Sequence, residues 1–117
     1  MGLGKHLFAD FYYCEKKSWE NPMELSNLLL TACEDSGINT KNFVSYISTS
    51  NEISIIIISP GVHLAAYFLP EKEYLGLDIF ALINKFFPEV IFEKLVGIFQ
   101  PKVTSSEVIL RGTHLIE

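Results

Sequence analysis

The side chains able to do covalent or proton-transfer chemistry stand far apart in this chain: Cys14, Cys33, Ser54, His63 and Glu71. A thiol needs a nearby base or cation to become a thiolate. Cys33 falls on an apolar helix face and reads as a buried, inert thiol. Cys14 ends a strand and is expected to be the more exposed of the two, with no basic group placed by sequence to activate it. Ser54 sits among isoleucines, His63 begins a strand, and Glu71 follows a proline in a charged Glu-Lys-Glu loop. Taken alone, these are a hydroxyl satisfied by backbone, a structural imidazole and a solvated carboxylate. No spacing of His, Cys, Asp and Glu suggests a metal site. Phe8, Phe11, Tyr12, Tyr13, Phe86, Phe87 and Phe92 could stack a planar base, but their strand and helix spacing reads first as core or interface.

The elements that must position these groups follow from periodicity. Lys5–Tyr13 alternates, with His6, Phe8, Asp10 and Tyr12 on one face and Leu7, Ala9, Phe11 and Tyr13 on the other. The acidic stretch Glu15–Glu20 contains Lys16 and Lys17 and reads as a solvated loop. Asn21-Pro22-Met23-Glu24 is a helix start, with Asn21 as cap and Pro22 at the first helical position. Leu25, Leu28, Leu29, Ala32 and Cys33 then form one helical face, and Gly37 ends it. Strands are expected at Phe43–Ser48, Ile53–Ser59, Val62–Leu69, Tyr74–Ala81 and Lys102–Leu110. Turns fall at Thr49–Glu52 and Pro60-Gly61, and a short loop at Pro70–Glu73. A second helix is expected over Asn84–Phe99, with Pro88, Ile91, Phe92, Leu95, Val96 and Phe99 on one face. Ile53–Ser59 is apolar on both faces and reads as a central strand.

The chain has 117 residues, 49% hydrophobic and 20% charged, with a formal net charge of −5. That length holds one domain, residues 1–117, with enough core to fold without disulfides. The apolar content excludes intrinsic disorder. The acidic balance argues against nucleic acid as a partner. The longest apolar run, Ile53–Pro60, is too short to cross a bilayer, and Met1–His6 lacks the apolar core of a signal peptide. With only two cysteines, a cytoplasmic location is expected. The fold class is α+β: a two-layer sandwich, an antiparallel sheet with two helices on one face. Two helices leave the other face uncovered, and its apolar groups predict a partner, most simply a second copy in a homodimer.

Two segments in this order resemble a family. Leu3-Gly4-Lys5-His6-Leu7-Phe8-Ala9-Asp10-Phe11-Tyr12-Tyr13-Cys14 is similar to the opening strand of the bacterial and archaeal S-adenosylmethionine decarboxylases, which reads like L-G-[RK]-H-L-x-x-[ED]-x-Y-x-C. From Val62 to Leu82 the chain aligns without a gap to the block E-S-H-L-x-I-H-T-W-P-E-x-x-Y-x-x-x-D-x-F-T-C. His63-Leu64, Pro70-Glu71, Tyr74, Asp78 and Phe80 match it. The resemblance covers most of the chain. It implies that fold, and an enzyme that makes decarboxylated S-adenosylmethionine for spermidine synthesis. It also implies a cofactor generated by the chain itself, a pyruvoyl group formed when a serine attacks the preceding carbonyl and the chain breaks there.

The chain departs from the family at the positions that carry this chemistry. The serine position is Val62, which has no nucleophile. The histidine that assists processing is Tyr67, and the proton-donating cysteine is Leu82. A phenol with a pKa near 10 is a poor base at neutral pH, and leucine transfers no proton. The tryptophan before Pro-Glu is Leu69. The hydroxyl of Ser59 lies near the cleavage point, but it sits inside a strand and is followed by proline, which disfavours it as a displaced nucleophile. Glu71 matches the carboxylate that binds the ribose hydroxyls, Ser54 matches a serine that helps processing, and His63 adjoins the lost nucleophile. The sequence therefore predicts no functional catalytic residue, no pyruvoyl group and no metal. It predicts possible binding of S-adenosylmethionine or a related nucleoside through Glu71, Ser54 and His63, and pairing either with itself or with an active paralogue as a heterodimer. An active decarboxylase and a ligand-free α+β interaction scaffold are the alternatives.

Overall fold

The structure, a computed structural model, describes residues 2–15, 19, 21–39, 42–48, 51–84 and 86–115. Six strands form one antiparallel sheet: β1 (Gly4–Tyr12), β2 (Asn42–Ile47), β3 (Ile53–Ser59), β4 (Val62–Leu69), β5 (Tyr74–Leu82) and β6 (Val103–Arg111), in the order β2-β3-β4-β5-β1-β6. Helices α1 (Pro22–Asp35) and α2 (Pro88–Phe99) pack on one side, α1 against β2 and β3, α2 against β1 and β5. The α+β two-layer expectation holds. No helix among the described residues is long and apolar enough to cross a membrane.

Alternation sorts each strand into two chemistries. Leu7, Ala9, Phe11, Ile53, Ile55, Ile57, Val62, Leu64, Ala66, Phe68, Leu75, Leu77, Ile79 and Ala81 are buried beneath Leu25, Leu29, Ala32, Cys33, Ile91, Leu95 and Phe99 of the helices. On the opposite, open face the ladder registers line up three rows. Asn42, Ile58, His63, Phe80, His6 and Ile109 form the first. Val44, Ile56, Ala65, Asp78, Phe8 and Glu107 form the second. Tyr46, Ser54, Tyr67, Gly76, Asp10 and Ser105 form the third. Val44, Tyr46, Ile56, Ile58, Tyr67, Phe8 and Ile109 are all exposed there. Ile53–Ser59 is an interior strand, but its second apolar face is this open one.

Local signals set the element ends. The Asn21 side chain accepts a hydrogen bond from the Met23 N–H at 3.0 Å, and Gly37 takes φ +89° just past α1. Helix α2 begins at Pro88 rather than Asn84, because proline holds Phe87 in an extended conformation (φ −106°, ψ 117°). Tyr13 leaves the β1 alternation with φ +57°, and Cys14 turns inward and is buried. Of the expected Glu15–Glu20 loop, residues 16–18 and 20 lie outside the described residues. Trp19 is buried, edge-on to Phe68 (5.0 Å) and Phe99 (6.2 Å), so the segment carries a core anchor. Of the Thr49–Glu52 turn, residues 49 and 50 also lie outside them.

Candidate functional site

Strand β4 carries most of the expected site residues, and alternation divides them. Val62 starts the strand on the helix side and is 7% exposed. His63 and Tyr67 point to the open face. Leu82 of β5 shares that face, and its N–H bonds to the Gly61 carbonyl (2.9 Å) beside the start of β4. Ser54 stands directly across from Tyr67. Glu71 lies in a 3₁₀ turn, Pro70–Lys72, beyond the other end of β4, exposed and beside Glu52 and Lys72. Seven residues of extended chain separate Val62 from Leu69, about 23 Å at ~3.3 Å each. Within one chain, Glu71 and position 62 therefore cannot touch the same nucleoside. The Ser59 hydroxyl donates to the Asn39 carbonyl at 2.9 Å, away from the turn.

At the β4 start the open face is aromatic and partly basic. The His63 ring stacks on Phe80 (5.4 Å, 23° between planes), and His6 stacks on Phe8 (4.1 Å, 23°). His6 Nε2 is 3.8 Å from an Asp78 oxygen, and Arg111 lies 3.5 Å from its Nδ1. Burial, opposed by Asp78 and helped by Arg111 and His63, lowers the His6 pKa, which favours the neutral ring.

Further along the same face is a cavity of about 340 Å³, with Phe8, Tyr67 and Tyr74 among its walls and Gly76 in its floor. Asp10, Asp78 and Glu107 supply three carboxylates. The Tyr74 hydroxyl donates to Asp10 Oδ1 at 2.5 Å, and the Ser105 hydroxyl lies 3.3 Å from Asp10 Oδ2. Burial, then the hydrogen bond to Asp10, raises the Tyr74 pKa well above its usual value. Gly76 permits this arrangement, since a Cβ there would lie 2.7 Å from the Tyr74 hydroxyl. Sequence reasoning did not bring these groups together. Alternation puts Asp10 and Tyr12 on one face, but the neighbourhood of Glu107 and Ser105 depends on β6 pairing with β1, which no local pattern announces.

Cys14 and Cys33 are both buried, and burial pushes each thiol up to about 11. The expectation that Cys14 is exposed is therefore corrected: its N–H bonds to the Glu73 carbonyl (3.0 Å), which tucks it under the β5 entry. Of the aromatics, Phe11 is core and packs on Phe92, Phe8 and Tyr12 line the open face, and Phe87 holds the Lys5 ammonium 5.1 Å from its ring centre. Among the described residues no group of three or more His, Cys, Asp and Glu is placed to hold a metal ion.

Comparison with known proteins gives this arrangement its context. A solved adenosylmethionine decarboxylase from Aquifex aeolicus shares the fold over 99% of this chain and 94% of its own, with a TM-score of 0.84 and 17% identity. The S-adenosylmethionine decarboxylase proenzyme of Thermotoga petrophila is 30% identical over 80% of this chain and 72% of its own length. That of Syntrophomonas wolfei is 26% identical over 67% of this chain, a match spanning 62% of the relative, and that of Thermosipho africanus is 23% identical over 96% and 86%. The family model for S-adenosylmethionine decarboxylase matches residues 5–112, nearly the whole chain, and the chain belongs to that family.

Proposed function

We propose that this chain is a catalytically silent member of the family that acts by binding, as a ligand-binding or regulatory subunit in spermidine synthesis. One observation carries the reading: the position aligned with the pyruvoyl-forming serine is Val62, whose side chain is apolar and buried on the helix side. A pyruvoyl group keeps the carbons of that serine: its hydroxyl oxygen attacks the preceding carbonyl and leaves with the upstream fragment as a carboxylate, and water then replaces the nitrogen, released as ammonia, with the keto oxygen. Valine has no atom to attack the preceding carbonyl, so the residues present do not fit the group and no catalytic step follows from them. Tyr67 stands where the family has histidine, and a phenol is a poorer base than an imidazole; Leu82, where the family has cysteine, transfers no proton.

The proposed partner is a second copy, or an active paralogue, seated on the open face. Exposed Ile56, Ile58, Phe8 and Ile109 support it, as does the separation of Glu71 from the β4 start. Pairing face to face with opposed strands sets the Glu71 end of one copy over the His63 end of the other. There a nucleoside can meet a carboxylate from one side and the His63–Phe80 stack from the other. Heterodimer contacts on this face would bias a paralogue's conformation.

Intact-mass measurement tests silence. One uncut chain of 13.3 kDa is expected. Two fragments divided before Val62, the second with a blocked N-terminus, would overturn it. Light scattering tests the pairing, and a monomer at micromolar concentration would overturn the homodimer. Titration with S-adenosylmethionine tests the ligand: weaker binding by the Glu71→Ala variant is expected, and equal binding would remove Glu71 from the site.

A further inference from the structure

Independently of the open-face pairing, we propose that the free edge of β2 is a second interaction surface, at which β2 of another copy adds antiparallel to extend the sheet. β2 and β6 are the two edges, and they are built differently. Strand β6 carries Glu107 and Arg111, the charges by which edge strands discourage pairing. Strand β2, Asn-Phe-Val-Ser-Tyr-Ile, contains no charge and no proline. Phe43, Val44, Tyr46 and Ile47 are 37–66% exposed.

The hydrogen-bond pattern fixes which backbone groups the edge offers. The Ser48 N–H bonds to the Glu52 carbonyl, the residue next in register after Ile47↔Ile53. In an antiparallel ladder this alternates, so Tyr46, Val44 and Asn42 bond inward to β3. The N–H and C=O groups of Phe43, Ser45 and Ile47 therefore point out of the sheet.

Those three residues select a second β2 as occupant. Two-fold pairing centred on Ser45 sets Phe43 opposite Ile47, Ser45 opposite Ser45, and Ile47 opposite Phe43. All three outward residues are then matched in about six hydrogen bonds. A shift of two residues either way leaves one of the three unmatched, and an odd shift sets outward groups against inward ones. In the centred register Val44 also faces Tyr46, so the cross-strand pairs flanking Ser45 are aromatic with β-branched, a favourable combination. No like charges meet within the strand, which matters for a chain of net charge −5.

The register is tested by cross-linking. In a hydrogen-bonded antiparallel pair the Cα atoms are ~5.5 Å apart, within disulfide range. Ser45→Cys is expected to give a disulfide-linked dimer under mild oxidation. Val44→Cys is expected to give none, because it faces Tyr46 and its own counterpart lies beyond ~7 Å. Both sites are exposed, so both variants fold, and the native thiols are buried. Ile109→Glu, on the open face at the far edge, separates the two surfaces: it weakens face pairing and leaves the Ser45→Cys cross-link intact. Ser45→Lys, which lies off the open face and sets two ammonium groups opposite each other in the centred register, should lower the assembly mass by half at micromolar concentration. A folded Ser45→Cys protein that stays uncross-linked, or equal cross-linking through position 44, overturns the proposal. So does loss of the Ser45→Cys cross-link in Ile109→Glu, which would make the edge contact a by-product of face pairing.

Discussion

Placing a single methyl group at position 76 tests whether Gly76 is what allows Tyr74 to lie across the sheet and reach Asp10. A Cβ there would meet the Tyr74 hydroxyl at 2.7 Å and its ring at 3.3 Å, so the phenol must swing away and release Asp10. A hydrogen bond to a carboxylate contributes ~1.5–3 kcal/mol, and partial exposure, which lets water replace the partner, brings the loss to about 1 kcal/mol. Against it, alanine for glycine in a strand returns ~0.5–1 kcal/mol, and Gly76 is not among the positive-φ glycines, so no backbone strain is added. The net change in stability for Gly76→Ala is therefore small, between zero and about 0.5 kcal/mol. The sharper readout is phenol ionisation followed by near-ultraviolet absorbance. In the parent protein, burial and then Asp10 hold the Tyr74 phenol un-ionised beyond the usual tyrosine range, and in Gly76→Ala its ionisation should move to lower pH. The sign for stability follows from linkage. A raised folded pKa stabilises fully below the unfolded value near 10 and is lost as pH rises through the higher folded value. The parent should thus lose more stability in alkali than Tyr74→Phe. In a double-mutant cycle, Tyr74→Phe should cost about 1 kcal/mol in the parent and close to nothing in Gly76→Ala. If the phenol in Gly76→Ala still resists ionisation, or Tyr74→Phe costs the same in both backgrounds, the reasoning is refuted.

Trp19→Ala removes a ring wedged between Phe68 and Phe99 and should cost ~3–5 kcal/mol, read as a large fall in the urea midpoint. Both thiols, held near 11, should resist a thiol reagent at pH 8 in the folded protein and react at once in denaturant. Rapid reaction of Cys14 in the native state would contradict its burial. Val62→Ser alone should leave the chain uncut, because its hydroxyl faces the helix side without a proton carrier. The triple change Val62→Ser, Tyr67→His and Leu82→Cys should cleave slowly, followed over days by mass spectrometry. Equal rates for single and triple variants would mean that Tyr67 and Leu82 are not the aligned positions.

The parts of this fold that could be read in the sequence are those set by local periodicity. The two faces of β1, the capped start of α1 and the stripes of both helices follow from residue type and spacing. Three features needed tertiary context. Trp19 stands among Glu and Lys and looks solvated until Phe68 and Phe99 are seen to surround it. Cys14 looks like a frayed strand end until Glu73 is seen to hold its N–H. The Asp10–Tyr74–Ser105 cluster joins residues 64 and 95 positions apart, and only the order β5-β1-β6 makes them neighbours. Of the site, the chemical identity of Val62, Tyr67 and Leu82 was legible. Its geometry, with Val62 on one face and the other two on the opposite face, required the register of β4.

Pro60-Gly61 joins β3 to β4 through two residues, with Gly61 at φ +78°, and Ser59 pairs directly with Val62. This is the tightest link in the sheet, and it matters for refolding. While the peptide before Val62 is whole, pairing β3 with β4 requires closing only a two-residue loop, an entropically cheap step of the kind completed in ~1–10 μs. The fold of each copy is then unimolecular: it can be unfolded and recovered without finding a second piece of chain, and protein concentration enters only through pairing between whole copies. A chain broken at that turn would have to bring two separate pieces together at their bulk concentration, so denaturation would become hard to reverse. An uncut chain retains a reversible folding equilibrium that self-cleavage at this turn would remove.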